Sequence, residues 1–129
     1  MEYEKDYIMR LIKQMIRALL MVIFNKREEI ESPKDQNVPG GKTENELFAL
    51  ADSGKINEAE NRLSEMLDGK DTAKLHIALL FYEHINEYTD EFLKEHQFSR
   101  QEILDGIRNA AEMYGFLGLA ETLLPQEEL

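Results

Sequence analysis

The sequence predicts an all-α fold of about six helices in antiparallel hairpins, led by one long N-terminal helix. Three observations carry this. Apolar residues recur at three- and four-residue steps along most of the chain. Gly54, Gly69 and Gly115 stand just past the ends of such segments, where a helix needs a left-handed residue after its last turn. Valine occurs only at Val22 and Val38, and no stretch alternates apolar and polar residues for long, so nothing reads as a strand.

The first helix runs from Asp6 to about Lys26. Ile8, Leu11, Ile12, Met15, Ile16, Leu19 and Ile23 make its apolar face, and Arg10, Lys13, Gln14 and Arg17 the opposite one. That polar stripe then stops. One turn further on, the same face holds Met21 and Phe24, so the helix is amphipathic at its start and apolar all round at its end. An apolar-all-round turn must be buried in something. Residues 1–29 therefore form an N-terminal amphipathic and apolar helix. Residues 30–42, with two prolines and two adjacent glycines, form a linker. Residues 43–129 form a body of helical hairpins, and the whole is expected to be one compact domain.

In the body, one short helix runs from Thr43 to a stop at Gly54 and a second from about Asn57 to a stop at Gly69. A long helix is expected from Thr72 to about His96, with Leu75, Ala78, Leu79, Tyr82, Ile85 and Phe92 along one stripe. Ser99 and Glu102 open the next helix as a capping box. Ile103, Ile107, Ala110, Ala111 and Tyr114 share its inner face. A last short helix holds Leu119, Ala120, Leu123 and Leu124 before Pro125.

The stretch "VPGGKTENE" ends in the letters of a phosphate-binding loop, Gly41–Lys42–Thr43. The motif needs G-x-x-x-x-G-K-[ST] after a buried strand. Its first glycine would be position 36, which is Gln36, and what precedes it is "REEIESPKD". Pro39 removes an N–H donor that would cradle phosphate. The local reading accounts for each letter. Pro39–Gly40–Gly41 is turn chemistry, Thr43 an N-cap, and Glu46 its capping-box partner.

Composition excludes further classes. With no cysteine, disulfides, thiolate metal sites and cysteine nucleophiles are excluded, and a cytoplasmic location is expected. The net charge of −11 argues against nucleic acid. Residues 1–27 carry six Lys/Arg against three Asp/Glu, and the rest nine against 23. A mildly basic helix is thus joined to a strongly acidic body. The acidic start is not the basic leader of a signal peptide. The longest apolar run, Ala18–Phe24, is far short of the ~20 residues that span a bilayer.

No metal or cofactor site is expected. Three residues before His76, His84 and His96 stand Ala73, Phe81 and Leu93, so the Glu-x-x-His pairs of di-iron bundles are missing. H-E-x-x-H is missing too. Ser32, Ser53, Ser64 and Ser99 lack a G-x-S-x-G elbow. Acidic runs such as "NEYTDEFLKE" read as solvated helix faces. The chain is therefore expected not to be an enzyme.

"ALADSGKINEAENRLSEML" resembles the inner half of a tetratricopeptide repeat, with Gly54, Ala59, Leu63 and Leu67 at the loop, small and large positions. "AAEMYGFLGLAETLL" repeats the form with Gly115, Ala120 and Leu124. The two glycines are 61 residues apart, which does not fit two periods of about 34 residues. The pattern is tetratricopeptide-like hairpin packing without a regular array. "DYIMRLIKQMIRALLMVIF" resembles the opening of a family of small bacterial proteins of unknown function, the match lying on Asp6, Tyr7, Met9 and Arg10. That resemblance implies a helical cytosolic protein and no chemistry.

The functional expectation is a non-catalytic protein–protein interaction module. It would associate with itself through the N-terminal helix, as a homodimer, or with another protein. Tyr3, Tyr7, Arg10, Met21 and Phe24 are the candidate contact residues. The alternative is a membrane-surface adaptor using residues 6–26 as a basic amphipathic helix. Only three cations on the polar face, and no tryptophan, make that the weaker reading. The phosphate-loop question has a direct check. Magnesium ATP should leave the melting temperature unchanged, in the wild type and in Lys42→Ala alike. A rise with ATP that disappears in Lys42→Ala would contradict this.

Overall fold

The structure, a computed structural model, describes residues 2–30 and 42–122, with side chains described over 6–24 and 43–122. Among the described residues it is all-α, with helices α1 (Glu2–Ile30), α2 (Lys42–Asp52), α3 (Ile56–Met66), α4 (Thr72–Asn86), α5 (Asp90–Glu95), α6 (Arg100–Met113) and α7 (Leu117–Thr122). No described residue is in a strand. The helices pack against each other around one apolar core.

α1 is the spine. At about 1.5 Å per residue it is roughly 43 Å long, and it packs against α4, α6 and α7. Ile12, Met15, Ile16, Leu19 and Ile23 are buried, as the three- and four-residue spacing requires. Its direction opposes α4. The Asn86 amide donates to the Met9 carbonyl at 3.5 Å, and Lys13 pairs with Glu87 at 3.6 Å, so the start of α1 meets the end of α4. That exposed ion pair contributes little, about 0–1 kcal/mol. α4 and α6 also pack together. The Tyr114 hydroxyl, just past the end of α6, reaches the Asp68 carboxylate ahead of α4 at 3.3 Å, which makes those two antiparallel as well.

α2 and α3 form a tight hairpin. Gly54, at φ +97°, lets its own N–H reach Ala51 O at 2.9 Å and the Lys55 N–H reach Leu50 O at 3.0 Å. The same glycine is also a contact point. A Cβ there would stand 2.5 Å from Nε2 of His96, so the imidazole just past the end of α5 rests on bare backbone. Ala59 is fully buried where α3 faces its neighbours. Gly106 plays the second such part. The Tyr82 ring lies against it, and the Tyr82 hydroxyl continues to Glu60 of α3 at 2.8 Å.

Several sequence expectations shift. The helix expected over Thr72–His96 is two, α4 and α5. Thr89 takes an extended conformation and its hydroxyl accepts the Phe92 N–H at 3.1 Å, a cap followed by Asp90 and Glu91 in the first turn. The break is filled by Arg100, which is 9% exposed. Its Nη1 donates to Asn86 O at 2.8 Å and Asn86 Oδ1 at 3.0 Å, and its Nη2 to Tyr88 O at 2.8 Å and Asp90 Oδ1 at 3.0 Å. One planar guanidinium thus satisfies carbonyls that a continuous helix would have paired internally. α5 ends with Gln97 at φ 58°, where the Phe98 N–H returns to Leu93 O at 2.9 Å. That is the glycine-type stop without a glycine.

Thr43 is not an N-cap. Lys42 already belongs to α2, so Thr43 stands inside its first turn. The turn Pro39–Gly41 lies outside the described residues, and so do Leu123, Leu124 and positions 31–41 of the linker. Leu119 faces out at 52% exposure, while Ala120 makes the α7 contact to the core. Ser99 does cap α6, accepting the Glu102 N–H at 3.2 Å. Its hydroxyl also donates to the Glu102 carboxylate.

Glu44, also in that first turn of α2, is buried, and its Oε1 has no hydrogen-bond partner among the described residues. Burial pushes its carboxyl above the ordinary value. The fold therefore favours the protonated form. This group's stabilisation is full below the unfolded carboxylate value and is lost as pH rises through the folded one. Glu44→Gln should raise stability at neutral pH by about 1 kcal/mol and flatten that part of the pH profile, read by urea melts. A loss of stability at neutral pH would show that the carboxylate has a partner. Arg100→Ala should cost about 3 kcal/mol, because it strands buried carbonyls. Arg100→Lys should recover little of it, since an ammonium cannot fork across the break. A urea midpoint for Arg100→Ala matching the wild type would remove Arg100 from this role.

Candidate functional site

The side of α1 turned away from the core carries the candidate site. α4 runs antiparallel to α1, so the second half of α1 passes the first turns of α4. There a groove of about 390 Å³ is lined by Arg17, Leu20, Met21, Ile23 and Phe24 of α1 and by His76 of α4. Met21 is 54% and Phe24 62% exposed. The cause is the sequence pattern. Ile12, Met15, Ile16, Leu19 and Ile23 satisfy the core, and Met21 and Phe24 continue the polar stripe of Arg10 and Arg17 with apolar side chains. The all-round apolar turn is therefore half covered. One side is core, and the other is open among the described residues.

The predicted contact residues fall into two groups. Met21 and Phe24 line the groove together. Tyr7 and Arg10 lie at the other end of α1, with the Arg10 guanidinium 6.0 Å from the Tyr7 ring centroid. From Arg10 to Met21 is about 16 Å along the axis, so the structure does not join the two groups. Tyr3 is within α1, and its side chain lies outside the described residues. Sequence reasoning missed Arg17, Leu20 and His76 as groove residues. Arg17 and Leu20 are four residues before Met21 and Phe24 and could have been found by helical spacing. His76 comes from another helix, and no local signal points to it.

The groove offers apolar surface, one guanidinium and one imidazole. Its largely apolar lining can bind a partner by desolvation. Full burial of a side chain such as Met21 or Phe24 is worth about 1.5–3 kcal/mol each.

Two polar clusters elsewhere act as structural clamps. The His84 ring of α4 stacks on Phe48 of α2 at 4.3 Å between centroids and 4° between planes. Its Nε2 is 2.8 Å from Asp52 Oδ1, which also accepts the Tyr88 hydroxyl. Desolvation alone would raise the Asp52 carboxyl. The hydrogen bonds from Tyr88 and His84, with the His84 charge, outweigh it and hold the group below its ordinary value. Phe92 and His96 extend the ladder, with rings 4.4 Å apart. The cluster fastens α2 to α4 and α5. In the other cluster, burial and the Glu102 charge raise the Glu60 carboxyl, against the lowering hydrogen bond from Tyr82. That pair fastens α3 to α4.

No group of three or more His, Cys, Asp or Glu among the described residues could hold a metal ion. No helix searched among them is long and apolar enough to cross a membrane. No curated protein and no solved structure matches the chain. The Asp6–Tyr7–x–Met9–Arg10 opening and the helices after it do have relatives, since a family of unknown function, DUF6483, matches over residues 2–115. The chain belongs to that family.

Proposed function

We propose that the chain is a non-catalytic protein–protein interaction module whose docking face is the outer side of the second half of α1. One observation carries this. α1 meets the needs of the core with its inner face, yet it exposes Met21 and Phe24 on the outer face beside an apolar groove. Singly exposed apolar residues are common on any protein; a pair one helical turn apart at the rim of a groove is a contact surface. The hairpins beneath would hold that face rigid, which limits the ordering cost of binding. Of the three cations on the polar stripe of α1, Arg10 and Lys13 lie apart from the groove, and Lys13 is in an ion pair with Glu87, so the reading favours a protein surface over anionic lipid.

A photo-crosslinking residue at position 24 tests it in the cells that make the protein. Position 24 should crosslink to a discrete protein, whereas exposed Asn109 should not. Met21→Ala combined with Phe24→Ala should abolish an interaction read by co-purification while changing stability by no more than about 0.5 kcal/mol, as expected of exposed sites. Crosslinks to lipid alone, or flotation with anionic vesicles that depends on Phe24, would contradict the reading.

A further inference from the structure

We propose that the partner on this face is a second copy of the chain, docked with the two α1 helices antiparallel and Met21 of each against Phe24 of the other. The inference rests on the reading above and names its partner. The helical register of α1, continuous from Glu2 to Ile30, puts positions 17, 21, 24 and 28 on one stripe. The sequence fills that stripe with Arg17, Met21, Phe24 and Glu28. It is a cation, two apolar residues and an anion in line.

Within one helix, positions 17 and 28 are about 16 Å apart along the axis and cannot pair. Arg17 is exposed and has no acidic partner of its own among the described ion pairs. Two stripes laid antiparallel, with 21 opposite 24, place 17 of each copy opposite 28 of the other. One register therefore matches the apolar pair and the two charges together. Parallel stripes would set Arg17 on Arg17 and Glu28 on Glu28. The antiparallel arrangement is isologous, the symmetry of most homodimers. It also brings the copies together at the least negative part of the chain. Residues 1–27 carry six Lys/Arg against three Asp/Glu, whereas the rest is strongly acidic and would repel its twin. The groove beside Met21 and Phe24 gives the incoming side chains somewhere to enter.

The chain has no native cysteine, so introduced thiols report single positions. Arg17→Cys mixed with Glu28→Cys should oxidise to a covalent heterodimer, and either variant alone should stay uncrosslinked. A disulfide needs Cα atoms within about 7 Å, and equivalent positions would be about 16 Å apart. Crosslinking of Arg17→Cys to itself would overturn the proposal. Sedimentation equilibrium should show a wild-type dimer, with the dissociation constant raised about tenfold in Arg17→Glu and in Glu28→Arg. The Arg17→Glu/Glu28→Arg double variant should return it to near the wild-type value, which a merely unfolded variant would not do. A wild-type monomer at every concentration would also overturn the proposal. If position 24 then still crosslinks to a foreign protein, the docking face stands and only its occupant changes; if it crosslinks to nothing, both readings fall.

Discussion

Burial of one face of α1 is the constraint on which the rest of the structure depends. Ile12, Met15, Ile16, Leu19 and Ile23 supply apolar surface that α4, α6 and α7 share. Without α1, the core it shares with α4, α6 and α7 would lose that cover, and each large apolar side chain left in water would forgo about 1.5–3 kcal/mol. Because the inner face of α1 is fixed by the core, the outer face is fixed too. A helix cannot turn Met21 and Phe24 inward without turning Leu19 and Ile23 outward.

Around that spine the short helices are joined by polar devices more than by long packed seams. Arg100 bridges the end of α4, the start of α5 and its own helix with one buried guanidinium. The Asp68 carboxylate gathers the Lys70 and Asp71 N–H groups at 2.9 and 3.0 Å and holds the turn before α4. The Phe48–His84 stack and the Asp52 hydrogen bonds tie α2 to α4, and the Tyr82–Glu60 bond ties α3. These contacts explain how helices of eleven residues, too short to be stable alone in water, keep fixed positions.

How much of this was legible in the sequence depends on whether the cause was local. Apolar spacing in α1, α4 and α6 named the buried faces, and all of Leu75, Ala78, Leu79, Tyr82, Ile85, Ile103, Ile107, Ala110, Ala111 and Tyr114 are buried, while Ile8, Leu11 and Phe92, expected on the same faces, are only half-buried. The glycine stops at Gly54 and Gly115 carry positive φ directly after α2 and α6; Gly69 carries it too, but α3 has already ended at Met66 with Leu67 extended, so Gly69 serves the turn before α4. The break between α4 and α5 escaped because its cause is partly distant. Thr89 followed by two acids is a readable cap, but Arg100, which stabilises the break, is eleven residues after Thr89 and in another helix. Gln97 escaped because a left-handed stop without glycine has no composition signal. The start of α2 slipped by one or two residues, the usual uncertainty of a helix end. In the candidate site, Met21 and Phe24 were legible as apolar residues on the polar stripe. His76 was not, since only the antiparallel packing of α4 brings it there.

The site is then a consequence of the fold: a spine whose inner side is used and whose outer side is apolar where a surface helix is normally polar. Native-state hydrogen exchange along α1 tests this most directly. If α1 is a core element, amides from Ile12 to Ile23 should be protected as strongly as those of α4 and α6 and should open only with global unfolding. Should those α1 amides exchange far faster than the α4 and α6 amides, α1 would be an appendage docked on a self-sufficient body, and the account of both the core and the outer face would be wrong.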